Sequence, residues 1–253
     1  NGDTAASLND AGVHKVVVAD LDDESWQSEI DSTQDFVVNC VGAASRDVDG
    51  YVTSYVEGQN SAMNWLKAGR VGSYVFTSSC SVYPQTGRKL VDESSSCAGV
   101  SERGGLLLAA EQLCFPPPPS IQRSFILRLG GIYGPGRHLM LEKVKNAQPF
   151  DGNAGRIINL IHRDDGVKAI LACLLSAETN LGRIYNVTDG NHSPRGQIVQ
   201  WLAGKLSVDS PAFAEDDDEN TPNRKVSTNR IMEELEWSPQ FSSFIEGYEN
   251  LLS

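Results

Sequence analysis

Residues 35–44 read Asp35-Phe36-Val37-Val38-Asn39-Cys40-Val41-Gly42-Ala43-Ala44. An apolar run without strict alternation, stopped by glycine and small residues, predicts a strand over 35–41 buried on both faces. Similar runs flank it. Residues 14–19 (HKVVVA) end at Asp20-Leu21, residues 73–78 (SYVFTS) lead to Ser79, and residues 124–129 (SFILRL) lead into Gly130-Gly131. Helical stretches separate them. Residues 22–30 carry acidic groups in the first turn, and 54–68 have Tyr55, Met63 and Leu66 at helical spacing. Residues 104–114 are a strongly apolar helix, closed by the prolines at 116–119. This alternation predicts an α/β chain built on a doubly wound parallel sheet. Ligands of such sheets bind beyond the carboxyl ends of the strands, and Asp20, Gly42, Ser79 and Gly130 each follow a strand directly.

After Gly136 the texture changes. A short strand is expected over 157–161, a helix over 166–175 capped by Asp165, and a strand over 184–187. Helices follow over 193–206, with Ile198, Trp201 and Leu202 on one face, around 229–235 and near 244–252. The division expected is a sheet domain over 1–136 and a small α/β lobe over 137–253, interleaved with the sheet.

Composition narrows the function classes. A formal net charge of −12 disfavours nucleic acid as a partner. The run Glu215-Asp216-Asp217-Asp218-Glu219 reads as a solvated loop, because consecutive carboxylates do not converge on one point. Five scattered cysteines without C-x-x-C read as free thiols of an intracellular, reducing compartment, cytoplasm or organelle. Cys80, beside Ser79, reads as an inert thiol. The four histidines lack metal-ligand spacing. No run approaches the ~20 apolar residues of a membrane span, and residues 1–12 have neither the basic nor the apolar region of a secretory signal.

Several motifs in order carry a family resemblance: Val18-Ala19-Asp20-Leu21, Gly42-Ala43-Ala44, Val56-Glu57-Gly58, Thr77-Ser78-Ser79-Cys80-Ser81-Val82-Tyr83, Arg128-Leu129-Gly130-Gly131-Ile132-Tyr133-Gly134-Pro135-Gly136-Arg137, Ile161-His162-Arg163-Asp164-Asp165 and Tyr185-Asn186-Val187-Thr188-Asp189. The chain resembles the extended short-chain dehydrogenase/reductases of the NAD-dependent epimerase/dehydratase group, in particular their atypical branch. The resemblance implies a Rossmann-like domain that binds NAD or NADP. It assigns Asp20, Leu21, Val41, Gly42, Ala43, Thr77, Ser78 and Gly130 to the cofactor, with Asp20 accepting from the adenine amino group. The other reading of Asp20 is a turn or helix cap, and that of Gly42 an ordinary strand exit. Ser79 matches the catalytic serine or threonine, or else satisfies backbone groups at a strand end. Arg137 would hold a substrate phosphate or carboxylate, or form a surface ion pair. His162 reads as structural rather than as a base, and Tyr83 as packing.

Two departures matter. Where the family carries Tyr-x-x-x-Lys, this chain has Arg103 and Leu107. A guanidinium stays protonated at neutral pH and cannot exchange a proton as a tyrosine does. The resemblance also implies a preceding βαβ unit of at least ~30 residues with the glycine-rich phosphate turn. The sequence is therefore read as a fragment, rather than as a fold that has lost its phosphate site, because a sheet without its central strand leaves backbone unpaired.

The expectation is an epimerase/dehydratase-like or oxidoreductase-like protein with a degenerate catalytic site. Its ligand would be a nucleotide-sugar or other small polar molecule in an interlobe cleft. The alternative is a catalytically silent NAD(P) sensor or interaction module. An RNA-binding role is disfavoured by the acidic charge. No membrane partner and no metal are expected, and a homodimer stays open.

Overall fold

A computed structural model describes residues 2–20, 23–177, 182–213 and 221–252. Leu21 and the acidic run 215–219 lie outside the described residues. The strands are β1 (Gln34–Asn39), β2 (Val71–Ser79), β3 (Lys89–Val91), β4 (Ile121–Leu129), β5 (Gly131–Tyr133), β6 (Leu160–His162), β7 (Arg183–Val187) and β8 (Arg224–Val226). One sheet has the order β1-β2-β4-β7, and β3 with β8 and β5 with β6 form two parallel pairs. β1 and β2 run parallel, with Phe36 opposite Ser73 and Asn39 opposite Phe76. The class is α/β, with parallel strands as expected.

The chain forms two compact units. The first holds Asn1–Thr77, Glu102–Ile126 and Ala177–Arg183, the second Ser78–Ser101, Leu127–Ser176 and Ile184–Ser253. In the first, Tyr74, Val75 and Phe76 of β2 and Phe125 and Ile126 of β4 are fully buried, as the continuous apolar runs require. The helix Glu102–Leu113 buries Gly104, Leu107 and Ala110, a stripe at intervals of three. The helix expected over 54–68 starts earlier: Val48–Tyr51 passes through a π turn, Val52–Glu57, into Gly58–Lys67. In place of the helix expected over 22–30, the described residues 23–30 hold a short 3-10 helix, Glu24–Ser28, capped by the Asp23 carboxylate on the Ser25 amide.

The run 14–19 is not a strand. It lacks a ladder partner among the described residues, and Val18 is 61% exposed. Apolar β-branched composition favours an extended chain, but only a neighbouring edge makes it a strand.

In the second unit, Tyr133, Val144, Phe150, Leu160, Ile198, Leu202, Phe244 and Tyr248 share one core. The cap expected at Asp165 belongs to His162, one turn earlier, whose Nδ1 accepts from the Asp164 amide at 3.3 Å at the head of the helix Arg163–Leu175. Asp165 is fully buried, and its carboxylate accepts the amides of Gln240 at 2.9 Å and Phe241 at 3.0 Å. A carboxylate taken from water is held by charge-assisted bonds to backbone, so it docks the tail instead of starting the helix.

Candidate functional site

Two cavities gather most of the residues singled out in the sequence, one in each unit. The first, of about 620 Å³, is lined by Asp20, Val41, Gly42 and Ala44 together with Trp26, Thr53 and Ser54. Part of its lining comes from the turn after β1 and from the π turn Val52–Glu57. At the strand exit the Asn39 Oδ1 accepts the Val41 amide at 3.2 Å, while its Nδ2 donates to Gln59 Oε1 at 2.6 Å. Gln59, fully buried, donates in turn to the Tyr74 hydroxyl at 2.8 Å. Burial pushes the Tyr74 phenol well above its ordinary range, so it acts here as a hydrogen-bonding group. The π turn contributes Ser54, whose hydroxyl accepts the Ala44 amide at 2.9 Å and fixes the far side of the 42–44 turn. An extra residue in a helical turn re-aims the side chains around it, a device frequent at functional sites.

Replacing Gln59 with Leu strands the Asn39 amide and the Tyr74 hydroxyl in the core. An unsatisfied buried group costs about 1–3 kcal/mol, so the unfolding midpoint should fall by roughly 5 °C for a chain of this size. Thermal denaturation checks this, and an unchanged midpoint would refute the network.

Among the described residues nothing requires Gly42 to be glycine. Its backbone lies outside the left-handed region, and a Cβ built on it meets nothing within 4 Å. Ala43, half-buried, adjoins this turn. Thr77 donates weakly to the Asn39 carbonyl at 3.4 Å, and Ser78 is buried; neither lines either cavity.

The second cavity, of about 250 Å³, is lined by Ser79, Ser81, Gly130, Arg156, Asn159 and Arg224, among others. Ser79 Oγ accepts the Ser81 amide at 3.1 Å and caps the turn Cys80–Val82. That bond fulfils the strand-end role and leaves the hydroxyl proton to donate. Gly130 has a packing reason: a Cβ there would meet the Asn159 carbonyl oxygen at 2.7 Å. Asn159 in turn braces β8, donating to the Arg224 carbonyl at 3.0 Å and accepting from the Val226 amide at 2.9 Å. Among the described residues the lining carries no carboxylate, imidazole or phenol. Cys80 is buried, its thiol directed to the Arg128 carbonyl at 3.0 Å.

Other residues fall elsewhere. Arg137 is on an exposed turn and lines neither cavity. Arg156 and Arg224, missed in the sequence, stand in the second cavity instead. Only a fold can bring them together, since they come from a loop and a three-residue strand far apart in the chain. Tyr83 is fully buried, donating to Asn186 Oδ1 at 2.8 Å and accepting from Arg128 at 2.9 Å, with its phenol raised by burial. His162 is fully buried, and burial lowers its basicity. It packs 4.2 Å from Phe241 between ring centroids. Both are structural.

At the position of the missing acid/base pair, Arg103 is exposed. It donates to the Arg46 carbonyl at 3.1 Å and lies 5.8 Å from the Tyr51 ring. Leu107 is 2% exposed and belongs to the core. Among the described residues no group of His, Cys, Asp and Glu could hold a metal, and no helix is long and apolar enough to cross a membrane.

Comparison with known proteins follows the same lines. A model of the NAD dependent epimerase/dehydratase family matches residues 1–188. Protein YeeZ of Escherichia coli (strain K12) is 31% identical over 188 residues, covering 74% of this chain and 65% of YeeZ. The chain thus spans just under two thirds of the curated relatives it matches. DesIV, a dTDP-glucose 4,6-dehydratase from Streptomyces venezuelae solved with NAD and TYD bound, superposes with a TM-score of 0.80 at 22% identity. That match covers 96% of this chain and 81% of DesIV. MoeE5 in complex with UDP-glucuronic acid and NAD superposes at 0.76 with 17% identity, covering 91% and 81%. These structures share the fold.

Proposed function

As the chain belongs to the NAD-dependent epimerase/dehydratase family, we propose that it binds NAD or NADP through Asp20, Val41, Gly42 and Ala43. On this reading it acts as an epimerase/dehydratase-like or oxidoreductase-like protein on a nucleotide-sugar or other small polar ligand. Residues 1–136 are the cofactor part and 137–253 the substrate lobe. The observation that carries the reading is the bare Gly42 backbone on a cavity that also presents the Asp20 carboxylate. These residues fit the adenosine end of the cofactor: a carboxylate to accept from an amino group, and a backbone with no Cβ to hold a planar ligand away. The bound cofactor supplies hydride acceptance and return.

Ser79 polarises the ligand oxygen. Its lone pair is engaged by the Ser81 amide, so its proton is the part left to give. A second reading, a silent sensor whose cofactor occupancy a partner reads, is favoured by one observation: Arg103 and Leu107 replace the acid/base pair, and among the described residues the Ser79 cavity offers no carboxylate, imidazole or phenol to move a proton.

Titration of NADH and NADPH followed by cofactor fluorescence tests the shared premise, and saturable binding is expected. Turnover of a carbonyl panel separates the readings. In an enzyme, Ser79→Ala lowers kcat about a hundredfold or more with cofactor binding intact, the size of loss seen when one oxyanion donor is removed. In a sensor there is no turnover to lose. Absence of binding to either cofactor overturns both.

A further inference from the structure

One imidazole joins four elements of the second unit. His162 closes β6, caps the helix Arg163–Leu175 and is fully buried. Tyr133 of β5 meets its ring edge-on at 5.3 Å between centroids, and Phe241 of the C-terminal tail lies at 4.2 Å. The Asp165 carboxylate fixes the tail to the same spot through the amides of Gln240 and Phe241. Beyond them the helix Phe244–Leu252 lies so close to the Tyr133 hydroxyl that Gly247 has no room for a Cβ. The cap requires a bare Nδ1, which accepts the Asp164 amide at 3.3 Å. The neutral ring then carries its proton on Nε2, which is buried without a partner among the described residues and would stand 3.3 Å from a Cβ on Gly134. A second proton turns Nδ1 from acceptor to donor, facing the Asp164 N–H in a site closed to water. Around the ring, Asp164, with Oδ2 3.9 Å from Nδ1, and Asp165 favour the charged form, Arg163 and Lys168 oppose it, and the Tyr133 phenol stays neutral. Burial outweighs them and lowers the basicity of the ring. The folded chain thus holds fewer protons here than a chain with its tail undocked, so docking is favoured above about pH 6.5 and weakens as pH falls.

We propose that His162 is an acid-sensitive latch: when its ring takes a second proton, residues 240–252 leave β5, β6 and the head of the helix Arg163–Leu175 while the four-stranded sheet stays folded. Tyr248 travels with them, and with Tyr133 it lines a cavity of about 270 Å³ inside the same unit. Acid therefore opens that cavity and uncovers the core face on which Phe244 and Tyr248 pack. The latch depends on neither the cofactor nor the ligand proposed above.

Hydrogen exchange of the full chain at about pH 7.5 and about pH 5.5, one unit either side of the ordinary imidazole value of about 6.5, tests it once divided by the intrinsic rates. Exchange across 240–252 should rise about tenfold at the lower pH, the ratio of charged to neutral free imidazole there, with β2 and β4 unchanged. His162→Asn keeps an oxygen to cap the helix and cannot titrate, so its tail should exchange alike at both pH values. His192 lies in the same unit with its basicity also lowered by burial, and His192→Asn should respond as wild type does. The C2–H signal of His162 in the wild-type NMR spectrum needs no variant: it should titrate below about 6.5, in step with tail exchange. A wild-type tail indifferent to pH, a rise shared by β2 and β4, a rise kept in His162→Asn or lost in His192→Asn, or a ring titrating at or above its ordinary value overturns the proposal. So does a rise that begins only near about pH 4, the range of the Asp165 carboxylate.

Discussion

Gly42→Val is expected to cut NAD(P)H affinity about a hundredfold while leaving the fold untouched, since overpacking a contact costs about 1–3 kcal/mol or more. The asymmetry follows from what surrounds the residue. Its backbone is one that any L-residue adopts, and the space where a Cβ would stand holds no atom of the described residues within 4 Å. Surface substitutions of that kind usually change stability by less than about 0.5 kcal/mol. The same space forms the wall of the cavity shared with Asp20 and Val41. The added isopropyl group lifts a planar ligand off the backbone there. NADH fluorescence titration and thermal denaturation are read on the same samples. Unchanged affinity would show that the cofactor does not lie against this turn, whatever else it touches.

The second large effect concerns pH. Asp189 follows β7 and is 4% exposed, with its Oδ1 accepting the Asn191 amide at 2.9 Å. Burial, reinforced by the negative charge of Asp165, raises its carboxyl to about 8 from 3.8, against the opposing pull of the Asn191 amide. The folded chain therefore keeps a proton that the unfolded chain releases near pH 4. Stability from this group is fully present below about pH 4 and is lost progressively as pH rises to about 8, on the order of 6 kcal/mol in all. Asp189→Asn keeps an acceptor for the Asn191 amide and cannot ionise. Its denaturation midpoint should match wild type near pH 4 and exceed it clearly at pH 8. Parallel midpoint-versus-pH curves for the two proteins would show that Asp189 is ionised in the native state.

The readable part of this chain is the part where local pattern and tertiary demand agree. The runs over 73–78 and 124–129 became β2 and β4, long and apolar and buried by their neighbours, whereas the run over 35–41 became β1 at the end of its sheet with Phe36 and Val38 exposed, so the burial on both faces expected of it is not met. The helices Asn229–Leu235 and Phe244–Leu252 lie where their spacing puts them. The run 14–19 misled because composition cannot reveal whether a partner edge is present. β3, β5, β6 and β8 are three residues each, too short for any period, and exist only through their pairing. At the sites, Ser79 with Gly130 was legible as a pair because they stand at the ends of β2 and β4 of one sheet, whereas Asp20 lines the cavity of Gly42 without following a strand. Arg156 and Arg224 were not, since neither sits in a patterned element. Nor was the use of Asp165 as an anchor, because an acidic residue ahead of an apolar stretch reads first as a cap.

The pairing of β3 with β8 sets a schedule for assembly. Lys89 finds its partner in Arg224, and Val91 in Val226, so the second strand of that ladder is synthesised long after the first. At the ~5–20 residues per second of translation, β3 waits on the order of ten seconds without its edge covered. Such high contact order slows folding and favours a chaperoned or post-translational finish. Because Arg224 lies on the late strand, the Ser79 cavity acquires its second charge only when this ladder closes.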